Sequence, residues 1–157
     1  MSPVEVRFLA EVPVLATTLA RWHHAQWGAL YTDWTLEVAT GELIDHATRR
    51  AMPTTLVAVQ GEAPLGSVSL VLEDAPELRD RGDAWLASLY VVPEARGQGL
   101  GVRLVKDLVA LAAREKVERL WLFTPEHAAF YARLGWRPQG AAKLRGVPVQ
   151  LMDIVPA

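Results

Sequence analysis

With 157 residues, 51% of them apolar, and a formal net charge of −2, the chain can bury one substantial core. It has no global electrostatic attraction for nucleic acid or for an anionic membrane. It contains no cysteine, which excludes disulfides, cysteine nucleophiles and cysteine metal sites. Glu5, Arg7 and Glu11 interrupt the first stretch, so no secretory leader is expected, and no apolar run is long enough to span a bilayer. The expected location is the cytoplasm.

Residues 4–9 alternate loosely and suit a first strand. Over residues 13–27, Leu15, Leu19, Trp22 and Gln26 fall near one stripe, a helix that Gly28 can end. Residues 36–50 predict a second helix, with Leu36, Leu43, Ile44 and Ala47 as its apolar side. Residues 54–60 and 65–72 suit a hairpin across Gly61-Glu62-Ala63-Pro64, and the charged residues 75–82 suit a surface loop. A strand over 85–91 is followed by a glycine-rich turn. Beyond it, Leu100, Leu104, Val105, Leu108 and Leu111 recur at helical spacing. Residues 119–124 predict a buried strand, and Pro125 suits the first turn of a further helix ending at Gly135. Segment 136–144 and a closing strand over 147–154 complete the chain. Pro148 places that last strand near a sheet edge, where it has the means to pair with a second copy as a homodimer.

The most informative segment runs from Leu89 to Gly101: an apolar strand end, a proline turn, then Arg96-Gly97-Gln98-Gly99-Leu100-Gly101 opening into a helix. Glycines let the backbone approach a ligand closely, and a helix N-terminus offers free N–H groups and a positive dipole end to a phosphate. The letters fail the dinucleotide fingerprint, because Val102 stands at its last glycine, and fail the P-loop, which requires Gly-Lys-Ser/Thr. They fit Arg-x-x-Gly-x-Gly, filled by Arg96, Gly99 and Gly101. Downstream, Phe130-Tyr131-Ala132-Arg133-Leu134-Gly135-Trp136 follows a buried strand.

These two segments, in this order and spacing, resemble the acetyl-CoA signature and the Phe/Leu-Tyr-x-x-Leu-Gly-Phe/Trp helix of the GCN5-related N-acetyltransferase (GNAT) superfamily. The resemblance covers most of the chain and is strongest over residues 85–136. It implies an α/β fold, one domain over residues 1–157, with a central, mostly antiparallel sheet and helices on both faces. It also implies acetyl-CoA as acyl donor, bound where a bulge splays the central strand from its neighbour. Backbone groups of Leu89, Tyr90 and Val91 would then hold the pantetheine arm, and the N–H groups from Arg96 through Gly97, Gln98, Gly99 and Leu100 to Gly101 the pyrophosphate. Arg103 offers further charge, although a solvated helix face explains it equally well. Tyr131 aligns with the tyrosine that protonates the departing thiolate; a phenol, with an ordinary pKa near 10, keeps its proton at neutral pH. Thr124 stands where many members carry Asn, and offers its hydroxyl to the pantetheine or to the following loop.

The central strand carries no acidic residue over 84–86, where members often place a base. Asp83, Glu73, Asp74, Glu126 and His127 are the alternatives, each also readable as a surface charge or helix cap. Glu42 and His46 share a helix face but lack a third metal ligand, and Ser67, Ser69 and Ser88 read as ordinary strand positions. Of six tryptophans, Trp22 and Trp27 suit the core, whereas Trp34 with Tyr31, near Asp33, Glu37 and Glu42, suits either the core or a cationic amine. The expected reaction is direct attack of an amine, from a small molecule or a peptide, on acetyl-CoA in a ternary complex without a metal. A sensor that binds acetyl-CoA without catalysis is the alternative. A nucleic-acid-binding role lacks a basic stripe.

Overall fold

The computed structural model describes residues 2–31 and 33–157. Seven strands form one sheet: β1 (Val4–Phe8), β2 (Thr54–Gln60), β3 (Ala63–Val71), β4 (Trp85–Val91), β5 (Leu120–Thr124), β6 (Arg137–Leu144) and β7 (Val147–Ile154). Their spatial order is β1-β2-β3-β4-β5-β7-β6, antiparallel except for the parallel β4–β5 pair. Four helices join them: α1 (Ala16–Trp27), α2 (Leu36–His46), α3 (Leu100–Arg114) and α4 (Ala128–Arg133). The element order is the expected one.

Both faces of the central strands are covered, and the two-residue period sorts their side chains. Leu56 and Ala58 of β2, Val68 and Leu70 of β3, and Leu122 of β5 pack with the α3 stripe of Leu104, Leu108 and Leu111. On the opposite face, Val57 and Val59 pack with Leu19 and Ala20 of α1 and Leu43 of α2. A third cluster on that second face joins Trp85, Trp121, Val149 and Leu151 to Ala75 and Leu78. The second face is thus covered at both ends, by α1 and α2 at one and by residues 75–81 at the other.

Three expectations change. Residues 75–82 form no simple surface loop: Pro76–Arg81 is a 3-10 helix that seats Ala75 and Leu78, 2% and 5% exposed, over the tryptophan pair. The β2–β3 turn is tighter than expected, with Ala63 already paired to Gln60 and only Gly61 and Glu62 in the turn. Strand β7 lies inside the sheet between β5 and β6, and β6 is the edge. Pro148 is tolerated in β7 because the β5 ladder stops at Gln150, so at Pro148 only β6 is paired. From Gln150 to Ile154, therefore, β7 has no free edge through which a second copy could pair.

Candidate active site

The central strand is bulged. Ser67 pairs with Tyr90 and Ser69 with Ala87, so Ser88 and Leu89 together face the single residue Val68. Ser88 takes φ +57°, the left-handed region that non-glycine residues rarely enter. Beyond the bulge β4 and β5 diverge. Their register contains only the pair Trp85↔Trp121, joined by the Trp121 N–H to the Ala84 carbonyl at 3.0 Å.

The divergence leaves main-chain groups of β4 unpaired. The Val92 N–H donates to the Leu65 carbonyl of β3 at 2.9 Å, so strand alternation turns the N–H and C=O of Val91, and likewise of Leu89, toward the gap. The Val91 carbonyl already accepts from Arg96 Nε at 2.8 Å, and the guanidinium lies 5.6 Å from the Tyr90 ring centroid. Arg96 therefore folds back on β4 rather than extending freely. The Tyr90 ring turns to the other face, against Trp22 at 5.4 Å and Trp27 at 6.3 Å.

Behind the gap, Gly97 and Gly99 both take φ +80°, and Gly99 is the N-cap of α3. The left-handed cap ends the turn and starts the helix at Leu100, leaving the first α3 N–H groups pointing out of the protein. Arg96, Gly97, Gln98 and Gly99 are exposed, Leu100 is buried, and Gly101 is half-buried in the first helical turn. Arg103 donates to the Val4 carbonyl at 2.8 Å and so ties α3 to β1 rather than reaching toward the loop.

A cavity of about 630 Å³ opens beside the gap. Leu86 and Tyr131, which belong to the α3-side core, line it together with Ser69, Trp27 and Trp34 of the opposite face. It therefore runs through the opening between β4 and β5 and joins the two faces of the sheet. Ser88, Leu89 and Thr124 are also on its wall. Thr124, buried at the end of β5, accepts from the His127 N–H at 2.9 Å, so its oxygen serves the loop before α4. The Tyr131 ring is held by Phe130 and Trp136 in edge-to-face contacts with centroids 5.1 and 5.9 Å away. Its phenol is raised above the ordinary value, chiefly by burial and then by the negative charge of Asp74.

The side of this cavity away from Tyr131 is acidic and aromatic. Asp33, Glu42, Glu73 and Asp74 line it with Trp27, Tyr31 and Trp34, and among the described residues Arg145 is the single permanent cation on its wall. That cation is already stacked on the Tyr31 ring at 5.1 Å. Glu42 is held by Trp34 Nε1, which donates to it at 2.6 Å. Asp74 is pushed up to about 7 by burial and by the neighbouring Glu42 charge. Of the five candidate bases, Glu73, Asp74 and His127 face the cavity, whereas Asp83 and Glu126 are exposed outside it. Glu37 is exposed in the first turn of α2 and does not line the cavity.

Several residues play a larger part here than their sequence context indicates. Trp27 is a wall residue rather than core filler, and Glu42 and His46 line the cavity, Glu42 while still exposed to solvent and His46 half-buried. Ser67 and Ser69 are buried and bonded: His23 Nε2 lies 2.9 Å from Ser67 Oγ, and His46 Nδ1 lies 2.9 Å from Thr55 Oγ1, itself 2.7 Å from Ser69 Oγ. Burial lowers both histidines, His23 to about 4 with help from His46, so both are neutral at pH 7. The i,i+4 spacing of Glu42 and His46, with two serines alternating along β3, was the available signal. Among the described residues no cluster of three or more His, Asp or Glu is placed to hold a metal ion, and no helix is long and apolar enough to cross a membrane.

The model of the acetyltransferase (GNAT) family matches residues 16–136. No curated protein matches the sequence. Among solved structures, an aminoglycoside 6'-N-acetyltransferase complexed with coenzyme A shares 18% identity, with TM-score 0.75 over 98% of this chain and 97% of that one. A GCN5-related N-acetyltransferase from Ralstonia eutropha JMP134 shares 22%, with TM-score 0.70 over 90% and 97%. A protein from Salmonella typhimurium, solved with its cofactor acetyl-CoA, shares 18%, with TM-score 0.70 over 99% and 95%. At such identities the likeness is one of fold, whereas the family match rests on sequence and spans the glycine loop, the split strands and Tyr131. The chain belongs to the acetyltransferase (GNAT) family.

Proposed function

We propose that this protein is an N-acetyltransferase that moves the acetyl group of acetyl-CoA directly to an amine of a small molecule or peptide. The observation that carries the reading is the cavity that crosses the sheet through the β4–β5 gap. One end meets the bulged part of β4 at Ser88 and Leu89, on the strand that leads to the glycine loop, and the other end is walled by carboxylates and aromatic rings suited to a cationic amine.

On the donor side, Leu89 and Val91 offer the pantetheine amides a strand-like partner, and the α3 N-terminus offers the pyrophosphate its N–H groups. Nothing inside the protein requires glycine at 101: a Cβ there would meet only the Phe130 ring at an ordinary 3.6 Å. A phosphate resting on the helix end is a reason to keep that position bare. Solved relatives hold coenzyme A and acetyl-CoA, which supports the same donor here. When bound, acetyl-CoA supplies the activated acyl group. The chain contributes alignment of amine and thioester, the Val91 N–H as donor to the carbonyl oxygen, and Tyr131 as the proton source for sulfur. No cysteine exists to carry the acetyl group, so transfer within a ternary complex is the simpler course. A sensor without catalysis would have no use for an acidic cavity on the far side of the cofactor opening.

The test is thiol release from acetyl-CoA with a thiol-reactive dye against 1,3-diaminopropane, spermidine, kanamycin, lysine amide and a short peptide. The cysteine-free chain adds no background. Release with one amine class supports the transferase and names its acceptor. Silence, with acetyl-CoA still raising the melting temperature, favours the sensor.

A further inference from the structure

Resting on that reading, we infer that Asp74 is the group that takes the proton from the acceptor amine, working across the cavity from Tyr131. The central strand has no carboxylate near the gap, and of the alternatives Asp83 and Glu126 stand outside the cavity. Asp74 lies in the short stretch between β3 and the 3-10 helix at Pro76–Arg81, half-buried against the cavity, while its neighbour Glu73 is exposed. The buried Ala75 that follows it seats this stretch on the tryptophan cluster, so the carboxylate is carried by packed backbone rather than by a free loop.

The groups around Asp74 define its work. Glu42 and His46 of α2, Tyr31 and Asp33 before α2, and Tyr131 with His127 at α4 share its cavity, with Arg145 of the β6–β7 turn at the rim. Arg145 is stacked on Tyr31, Glu42 is engaged by Trp34, and His46 is engaged by Thr55, so each has a fixed partner. Asp74 is the carboxylate whose charge acts on Tyr131. Its own proton affinity, near neutral, is what an efficient base at pH 7 requires.

The proton balance closes without a further reagent. An ammonium acceptor gives one proton to Asp74, which frees the nitrogen lone pair. The N–C bond then forms to the thioester carbon, and the C–S bond breaks with its electron pair leaving on sulfur. Tyr131 gives its proton to that thiolate, and the phenolate is refilled by the second proton shed from nitrogen. Asp74 passes its proton to solvent as the amide leaves. Coupling between the two groups helps the sequence: burial first and an anionic Asp74 second make Tyr131 hold its proton, and an Asp74 neutralised by the amine removes the second of these and so eases the release.

The experiment is the pH dependence of kcat/KM for wild type, Asp74→Asn and Asp74→Glu, with acetyl-CoA and the amine of the panel above that gives most thiol release. Wild type should show a rising limb centred near pH 7, because only the ionised carboxylate accepts a proton. Asp74→Asn should lose that limb and fall in kcat by roughly 10²–10³-fold with the KM for acetyl-CoA unchanged. Asp74→Glu should restore both in part. An Asn variant with wild-type kcat and limb, or a Glu variant no better than Asn, would overturn the assignment. If wild type turns over no amine at all, the transferase reading itself has failed and the assignment falls with it.

Discussion

His23 offers the sharpest link between buried chemistry and stability. It is 3% exposed on α1, bonded to Ser67 of β3, and neutral in the fold because burial and His46 bring it down to about 4 from 6.5. The unfolded chain therefore binds a proton at this position that the folded chain refuses, and stability falls as pH falls through that interval. Each pKa unit corresponds to about 1.4 kcal/mol, so the full difference is about 3 kcal/mol, of which about 2 kcal/mol is already lost at pH 5. His23→Gln keeps a polar partner for Ser67 but cannot titrate. Urea unfolding of both proteins at pH 7 and pH 5 isolates the effect, since every other group is common to the two. The gap in unfolding free energy should move by about 2 kcal/mol in favour of Gln on going to pH 5. A gap that stays constant would show that the folded protein accepts the proton at His23 without penalty, and would refute the argument.

Tyr131→Phe should keep acetyl-CoA affinity, read from the melting shift, while lowering kcat by roughly 10²-fold; unchanged kcat would assign the proton to water. Gly82→Ala should destabilise by about 1–3 kcal/mol in urea, because the new Cβ would stand 2.4 Å from Trp121 Nε1. Trp121 has little freedom to withdraw, being packed on Trp85 at 6.1 Å and beneath the Arg119 guanidinium at 4.4 Å. Asp153→Asn should cost about 1–3 kcal/mol by the same measurement, since this fully buried carboxylate on β7 accepts from Arg119, Arg137 and Gln139.

The glycine turn and the helix start behind it were legible because their signals are local. An arginine, alternating glycines and a helix start are contiguous in sequence, and Gly97 and Gly99 take the left-handed φ that glycine adopts without strain. The element order was legible for a similar reason, since each strand and helix declares its own period. The acidic, aromatic cavity was not, because it is assembled from α1, α2, β3, residues 73–76, α4 and the β6–β7 turn, which meet only in the fold. Ser67 and Ser69 read as plain strand positions because nothing in β3 announces that His23 of α1 will bond the first and Thr55 of β2, itself bonded to His46 of α2, the second. Pro148 suggested an edge because proline lacks a donor, but a strand needs only a local gap in its ladder to accept one. Residues 75–82 looked solvated because their charges outnumber Ala75 and Leu78, the two side chains that anchor them.

The most direct test of the central claim follows the acyl group itself. The protein is incubated with deuterated acetyl-CoA and the amine panel, and both the amines and the intact chain are weighed by mass spectrometry. Acetyl transfer through the β4–β5 gap predicts an amine carrying the deuterated acetyl group and a protein of unchanged mass. A labelled protein would contradict direct transfer, and bound acetyl-CoA with every amine unmodified would contradict the transferase.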